Sequence, residues 1–298
     1  MISIAARRFG HCSWGKKPVQ PVDPAFLFET GDAARSLTRL SEGMERIDAW
    51  IILNATRGAI YSCVYQSVYS EHFRHPLISS AHSIISKLDN LMAILFPSEG
   101  LGRDLAQWEI APLQNDYAKF ETILLSELQS ISSYIVTRKG GFDIATMVNA
   151  GRVFFSKELI AKVPDALSDL DQAMRCIAFE VPTAAGFHLH RANESVLRVY
   201  WDHVTGGNER PKEGNMGVYL TQLNALNKGK KSVREHLKSI KDFHRNPLMH
   251  PEQSLDSIDE AIDLMAAIRC SIGYMLKEIP MPPPPQTASD ILLNGPAS

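Results

Sequence analysis

The chain has 298 residues with 31 basic against 33 acidic side chains, a net charge of -2, so no global field recruits a polyanion and any such site must be local. Its four cysteines, Cys12, Cys63, Cys176 and Cys270, lack the short paired spacings of zinc or redox centres and suggest no disulfide framework, which fits a reducing cytoplasm. The N-terminus reads as no secretory leader, and the most apolar stretch, AWIILNATRGAIYSCVYQ, is interrupted by Asn54, Arg57 and Gly58, short of the roughly 18 apolar residues a membrane span needs. A soluble protein without a membrane partner is expected.

Periodicity along the chain is helical rather than alternating, which predicts an all-α fold. Residues 1–25, rich in proline and glycine, read as an arm. Helical segments follow at 32–72, 76–96, 102–136 and 142–150, broken at His75-Pro76, Phe96-Pro97 and Gly140-Gly141, and form a helical N-terminal domain over 26–152. Within it, YIVTRKGGFD at 134–143 reads as a short extended piece closed by the glycine pair. The domain boundary is expected near 150–164.

A C-terminal bundle over 153–279 comes next. PDALSDLDQAMRCIAFE and VPTAAGFHLHRANESVLRVYWDHVTGG read as consecutive helices, with Pro182 in the first turn of the second and Gly206-Gly207 ending it. Further helices are predicted at 214–227, 230–245 and 256–279. In the last, Ile258, Ile262, Met265, Ile268, Ile272, Met275 and Ile279 recur three or four apart, as one buried stripe requires. The proline-rich stretch from 280 to 298 reads as a disordered tail.

Chemistry concentrates around the fourth of these helices. Lys228, Lys230, Lys231, Arg234, Lys238, Lys241 and Arg245 face only Glu235 and Asp242 in that stretch. Lys231, Arg234, Lys238, Lys241 and Arg245 step by three and four, lining one side, while Val233, Leu237 and Ile240 fall on the other. Two readings fit: a solvated outer face, or an RNA-binding stripe. Pro247 is expected to end the helix at Arg245, so that Arg245 and His250 flank a bend, with His244 on the apolar side as a packing residue. A planar guanidinium at such a point is suited to gripping a phosphate bidentately.

Arg245-Asn246-Pro247-Leu248-Met249-His250 resembles the R-x4-6-H signature of the HEPN superfamily, the higher-eukaryote and prokaryote nucleotide-binding domains, including the polar residue after the arginine. Together with FEVPTAAGFHLHRANESVLRVYWDHVTGG, the likeness is to a bacterial branch and covers roughly 164–279. It implies an HEPN-like helical bundle that dimerises so that two motifs share a cleft, and a metal-independent endoribonuclease of bacterial defence or stress, a toxin in some members.

In that scheme Arg245 and His250 are catalytic, and Asn246 orients the phosphate or the histidine. The 2′-OH attacks its own 3′ phosphate to leave 2′,3′-cyclic phosphate ends. Glu194 and Arg191 are the supporting residues expected from the earlier helix. Residues 26–152 would sense a trigger or bind a protein partner. The alternative within the same family is a non-catalytic module that binds RNA, a nucleotide or a protein, and a third reading makes the bend purely structural, with Arg245 pairing an acid such as Glu252 or Glu194 and His250 capping a helix. One feature departs from HEPN toxins paired with a nucleotidyltransferase antitoxin, where a tyrosine often follows the histidine as H-x-Y; here Pro251 and Glu252 follow.

The remaining motifs point elsewhere. His188 and His190 lie about 200° apart on a helix, which spoils joint metal binding, and both read as packing or surface residues. Glu194 and Arg198, four apart, are placed to form a surface pair. Tyr200, Trp201 and Phe187 read as core or interface aromatics. No phosphate-loop, dinucleotide or serine-hydrolase fingerprint is present, and no metal or cofactor is implied.

Overall fold

The computed structural model describes residues 22–248 and 253–282 and is all-α. It divides into two compact units between residues 133 and 134. That division precedes the boundary expected at 150–164. The reason is in the packing: Met147, Phe155 and Leu159 belong to the second unit's core.

The first unit is built from α1 (Pro24–Arg35), α2 (Arg46–Tyr61), α3 (His75–Leu95) and α4 (Gln107–Ser130), each packed on the next. The single helix expected over 32–72 is two. Gly43, in the left-handed region at φ +80, turns the chain between α1 with its 3-10 extension and α2. Leu77, Ala81, Ile84, Leu88, Leu91 and Leu95 place the buried stripe of α3 against Leu53 and Ile60 of α2 and Ile110, Leu113 and Phe120 of α4. Ion pairs Arg57–Asp89 at 2.5 Å and Lys87–Asp116 tie neighbouring helices at the surface.

The second unit opens with an isolated bridge between Lys139 and Phe142 across Gly140-Gly141, the short extended piece expected there. Its elements are α5 (Ile144–Ala150), α6 (Glu158–Lys162), α7 (Leu167–Ala178), α8 (Pro182–Thr205), α9 (Met216–Ala225), α10 (Lys231–Ile240), α11 (Asn246–Leu248) and α12 (Ile258–Leu276). Helix α8 is the central member, packed on α7, α9 and α12. Pro182 starts it and Gly206, at φ +72, ends it. Gly186 meets Leu264 near the start of α12, and the Tyr200 hydroxyl accepts from the Lys230 N–H, whose ammonium donates to Glu278 just past the end of α12, so α8 and α12 run side by side in the same direction.

Pro247 does not end the helix that begins at Lys231. The chain continues from α10 through a π turn, Lys241–Arg245, into α11. The Asn246 N–H donates to Lys241 O, five residues back, so the backbone runs on as a π turn instead of stopping at Arg245.

Candidate functional site

The candidate site forms where the π turn meets α8. Leu248 is buried against Gly186: a β-carbon at 186 would lie 2.6 Å from Leu248 Cδ2, so a larger residue there would require Leu248 to shift. On the far side of residues 249–252, Leu255 N donates to Thr183 Oγ1 at 3.1 Å. Both flanks of the R-x4-H motif are therefore held on the first two turns of α8. His250 itself lies outside the described residues.

Arg245 meets Glu194 on the same helix, Nε to Oε1 at 3.4 Å. The surface pair expected between Glu194 and Arg198 gives way to this one, because Glu194 points along the face of α8 that the π turn covers. The same Oε1 accepts the Met216 N–H at 3.3 Å, so the carboxylate also meets the first turn of α9, as favourable helix-dipole electrostatics would have it. Among the described residues no hydrogen bond engages the Arg245 guanidinium. Asn246 is half-buried.

The other expected residues divide. Arg191 does not join Arg245; it pairs with Asp169 of α7 at 3.3 Å, and His188 shares that carboxylate at 2.8 Å. Arg234 is engaged by the turn after α9, where it donates to Leu223 O, Lys228 O and Asn227 Oδ1 at 3.0 to 3.4 Å. Lys231 lies 3.7 Å from Glu235, and Lys241 pairs with Asp242 at 3.1 Å. Lys238 is exposed and has no ion-pair partner among the described residues. Val233, Leu237 and Ile240 are buried on the opposite side.

Two features of the site escaped the sequence. His190, expected to pack or lie at the surface, does pack, at 2% exposure, but what the sequence did not show is that neither ring nitrogen has a hydrogen-bond partner among the described residues. Burial, then the charges of His244 and Arg245, hold its pKa down at about 3, so the imidazole is neutral beside the arginine. Its place at i-4 from Glu194 was the available signal. Phe243 on the π turn is 75% exposed, whereas Tyr200 and Trp201 are core residues as expected. Burial also lowers the pKa of His244, which is half-buried.

Among the described residues no group of three or more histidine, cysteine or acidic side chains is placed to hold a metal, and no helix is long and apolar enough to cross a membrane. No family model, curated protein or solved structure matches this chain.

Proposed function

We propose that the second unit is a metal-independent endoribonuclease of the HEPN type, cleaving RNA bound along the α10 face. The observation that carries the reading is the state of Arg245: beside Glu194, on the π turn that follows the basic helix α10, with hydrogen-bond donors that no described residue engages. In this reading His250 removes the proton from the ribose 2′-OH as the oxygen attacks the adjacent phosphorus. The bond from phosphorus to the 5′ oxygen breaks, and that oxygen takes a proton, leaving a 2′,3′-cyclic phosphate and a 5′-hydroxyl. Arg245 stabilises the charge that builds on the non-bridging oxygens, and Asn246 orients the phosphate.

Two copies of the chain would bring two motifs to one cleft, and the work would be done in the cytoplasm, consistent with free Cys63, Cys176 and Cys270. The same geometry also supports a non-catalytic module. Exposed Lys238 and Phe243 offer a charge and a stacking face that need no histidine.

Incubation of the full chain with total bacterial RNA in EDTA separates the two. The expected result is fragments ending in 2′,3′-cyclic phosphate, with cleavage by His250→Ala reduced by about 10²- to 10⁴-fold, the usual contribution of a general acid or base. Undiminished cleavage by that variant would exclude the proposed role of His250. Salt-sensitive RNA binding with no cleavage by either protein would establish the binding module instead.

A further inference from the structure

The first unit contains a cavity of about 360 Å³ between α1, α2 and α4, at the lower end of the roughly 300–1,000 Å³ of small-molecule sites. Its walls are apolar: Leu27, Ile60, Cys63, Phe120, Leu124 and Leu128. Thr30, Asp32, Arg35 and Glu121 also line it, and Tyr117 carries a hydroxyl among its buried residues. Tyr117 lines the cavity, is 4% exposed, and its hydroxyl has no hydrogen-bond partner among the described residues. That O–H is therefore free to donate to a molecule in the cavity, and phenols in apolar surroundings ordinarily find an acceptor.

At the rim Arg35 Nε donates to Glu121 Oε1 at 2.9 Å, and the exposed Asp32 carboxylate also lines the cavity. Burial, then Glu121, pushes the Tyr117 phenol up to about 12, and burial pushes the Cys63 thiol up to about 11. Tyr117 is therefore a neutral donor, and Cys63 is a thiol with no nucleophilic role.

We propose that this cavity binds a neutral small molecule with an apolar body and a single hydrogen-bond acceptor, such as a ketone or ester, that takes the Tyr117 hydroxyl. Apolar walls provide most of the affinity through the surface they withdraw from water. The hydroxyl sets orientation. An anion is disfavoured because it would lose its hydration against apolar walls while Asp32 and Glu121 outnumber Arg35 among the charges that line the cavity. The site belongs to the first unit and does not depend on the ribonuclease reading of the second.

The test uses the full-length chain and the neutral fluorophore N-phenyl-1-naphthylamine. Saturable fluorescence enhancement is expected, reversed by 2-nonanone but not by octanoate at neutral pH. Tyr117→Phe, which keeps the ring, should weaken 2-nonanone by roughly two- to tenfold, the value of one neutral hydrogen bond, and leave the fluorophore's affinity unchanged. Cys63→Phe, which fills the cavity, should abolish both, with circular dichroism showing the helices intact. If that variant does not fold, the Tyr117→Phe result decides. Absence of saturable enhancement, displacement by octanoate equal to that by the ketone, or unaltered ketone affinity in Tyr117→Phe would overturn the proposal.

Discussion

His190 shows how a single side chain records its surroundings. An imidazole whose two nitrogens are buried and have no partner among the described residues forfeits the hydrogen bonds it makes with water in the unfolded chain. Its unfolded pKa is about 6.5 and its folded pKa about 3, so the native state resists taking the proton. The stability that depends on neutral His190 is therefore fully present above about pH 6.5 and is lost as pH falls from there toward about 3, by up to about 1.4 kcal/mol per pH unit. His190→Leu removes the titration and the unmet polar atoms together. Urea unfolding from pH 7 to pH 4 should show a shallower acid decline for the variant and equal or higher stability at pH 7; identical acid slopes would contradict this account. Glu194, one turn further along α8, is satisfied by contrast, held between Arg245 and the first turn of α9.

The helical element that runs from Lys231 to Leu248 combines two roles that its sequence presents as one stripe. Arg234 closes the turn after α9 through carbonyls of Leu223 and Lys228, and Lys238 projects into solvent. Arg234→Ala should lower stability by about 1–3 kcal/mol, because it leaves those carbonyls without their charged donor. Lys238→Ala should stay within about 0.5 kcal/mol of the parent protein. If α10 holds RNA, however, Lys238→Ala should reduce the salt dependence of binding by about 0.7 in log–log slope, the contribution of one single-strand phosphate contact. Thermal melts and gel-shift titrations across sodium chloride concentrations give both readings, and equal effects of the two variants on stability would show that the division of roles is wrong. The stripe was legible because three- and four-residue steps report a helix face. Which of its members would be captured by a neighbouring turn was not, since that depends on Asn227 and Gly229, at φ +48 and +73, bringing the chain back beneath Arg234.

At the scale of the whole molecule there are two cores, one containing Leu53, Leu88 and Phe120, the other Leu170, Leu197 and Ile268. Between α4 and the bridge at Lys139 the chain is exposed, Tyr134 and Ile135 nearly fully so. Limited trypsin digestion should therefore cut first at Arg138, which is exposed, and release a resistant fragment beginning at buried Lys139. A digest that attacks α8 or α12 as early as Arg138 would argue against a separately packed second unit.

The sequence by itself determined the all-α class, the starts of α3 and α8 at their prolines, the end of α8 at Gly206, and the buried face of α12. These follow from local rules: helical period, the missing N–H of proline and the left-handed freedom of glycine. The tertiary structure decided the rest. It continued the helix past Arg245 through a π turn; it brought Glu194 to Arg245 and sent Arg191 to Asp169; and it enclosed His190. Those outcomes depend on which faces of distant helices meet, and periodicity in one segment carries no information about the partner across the bundle.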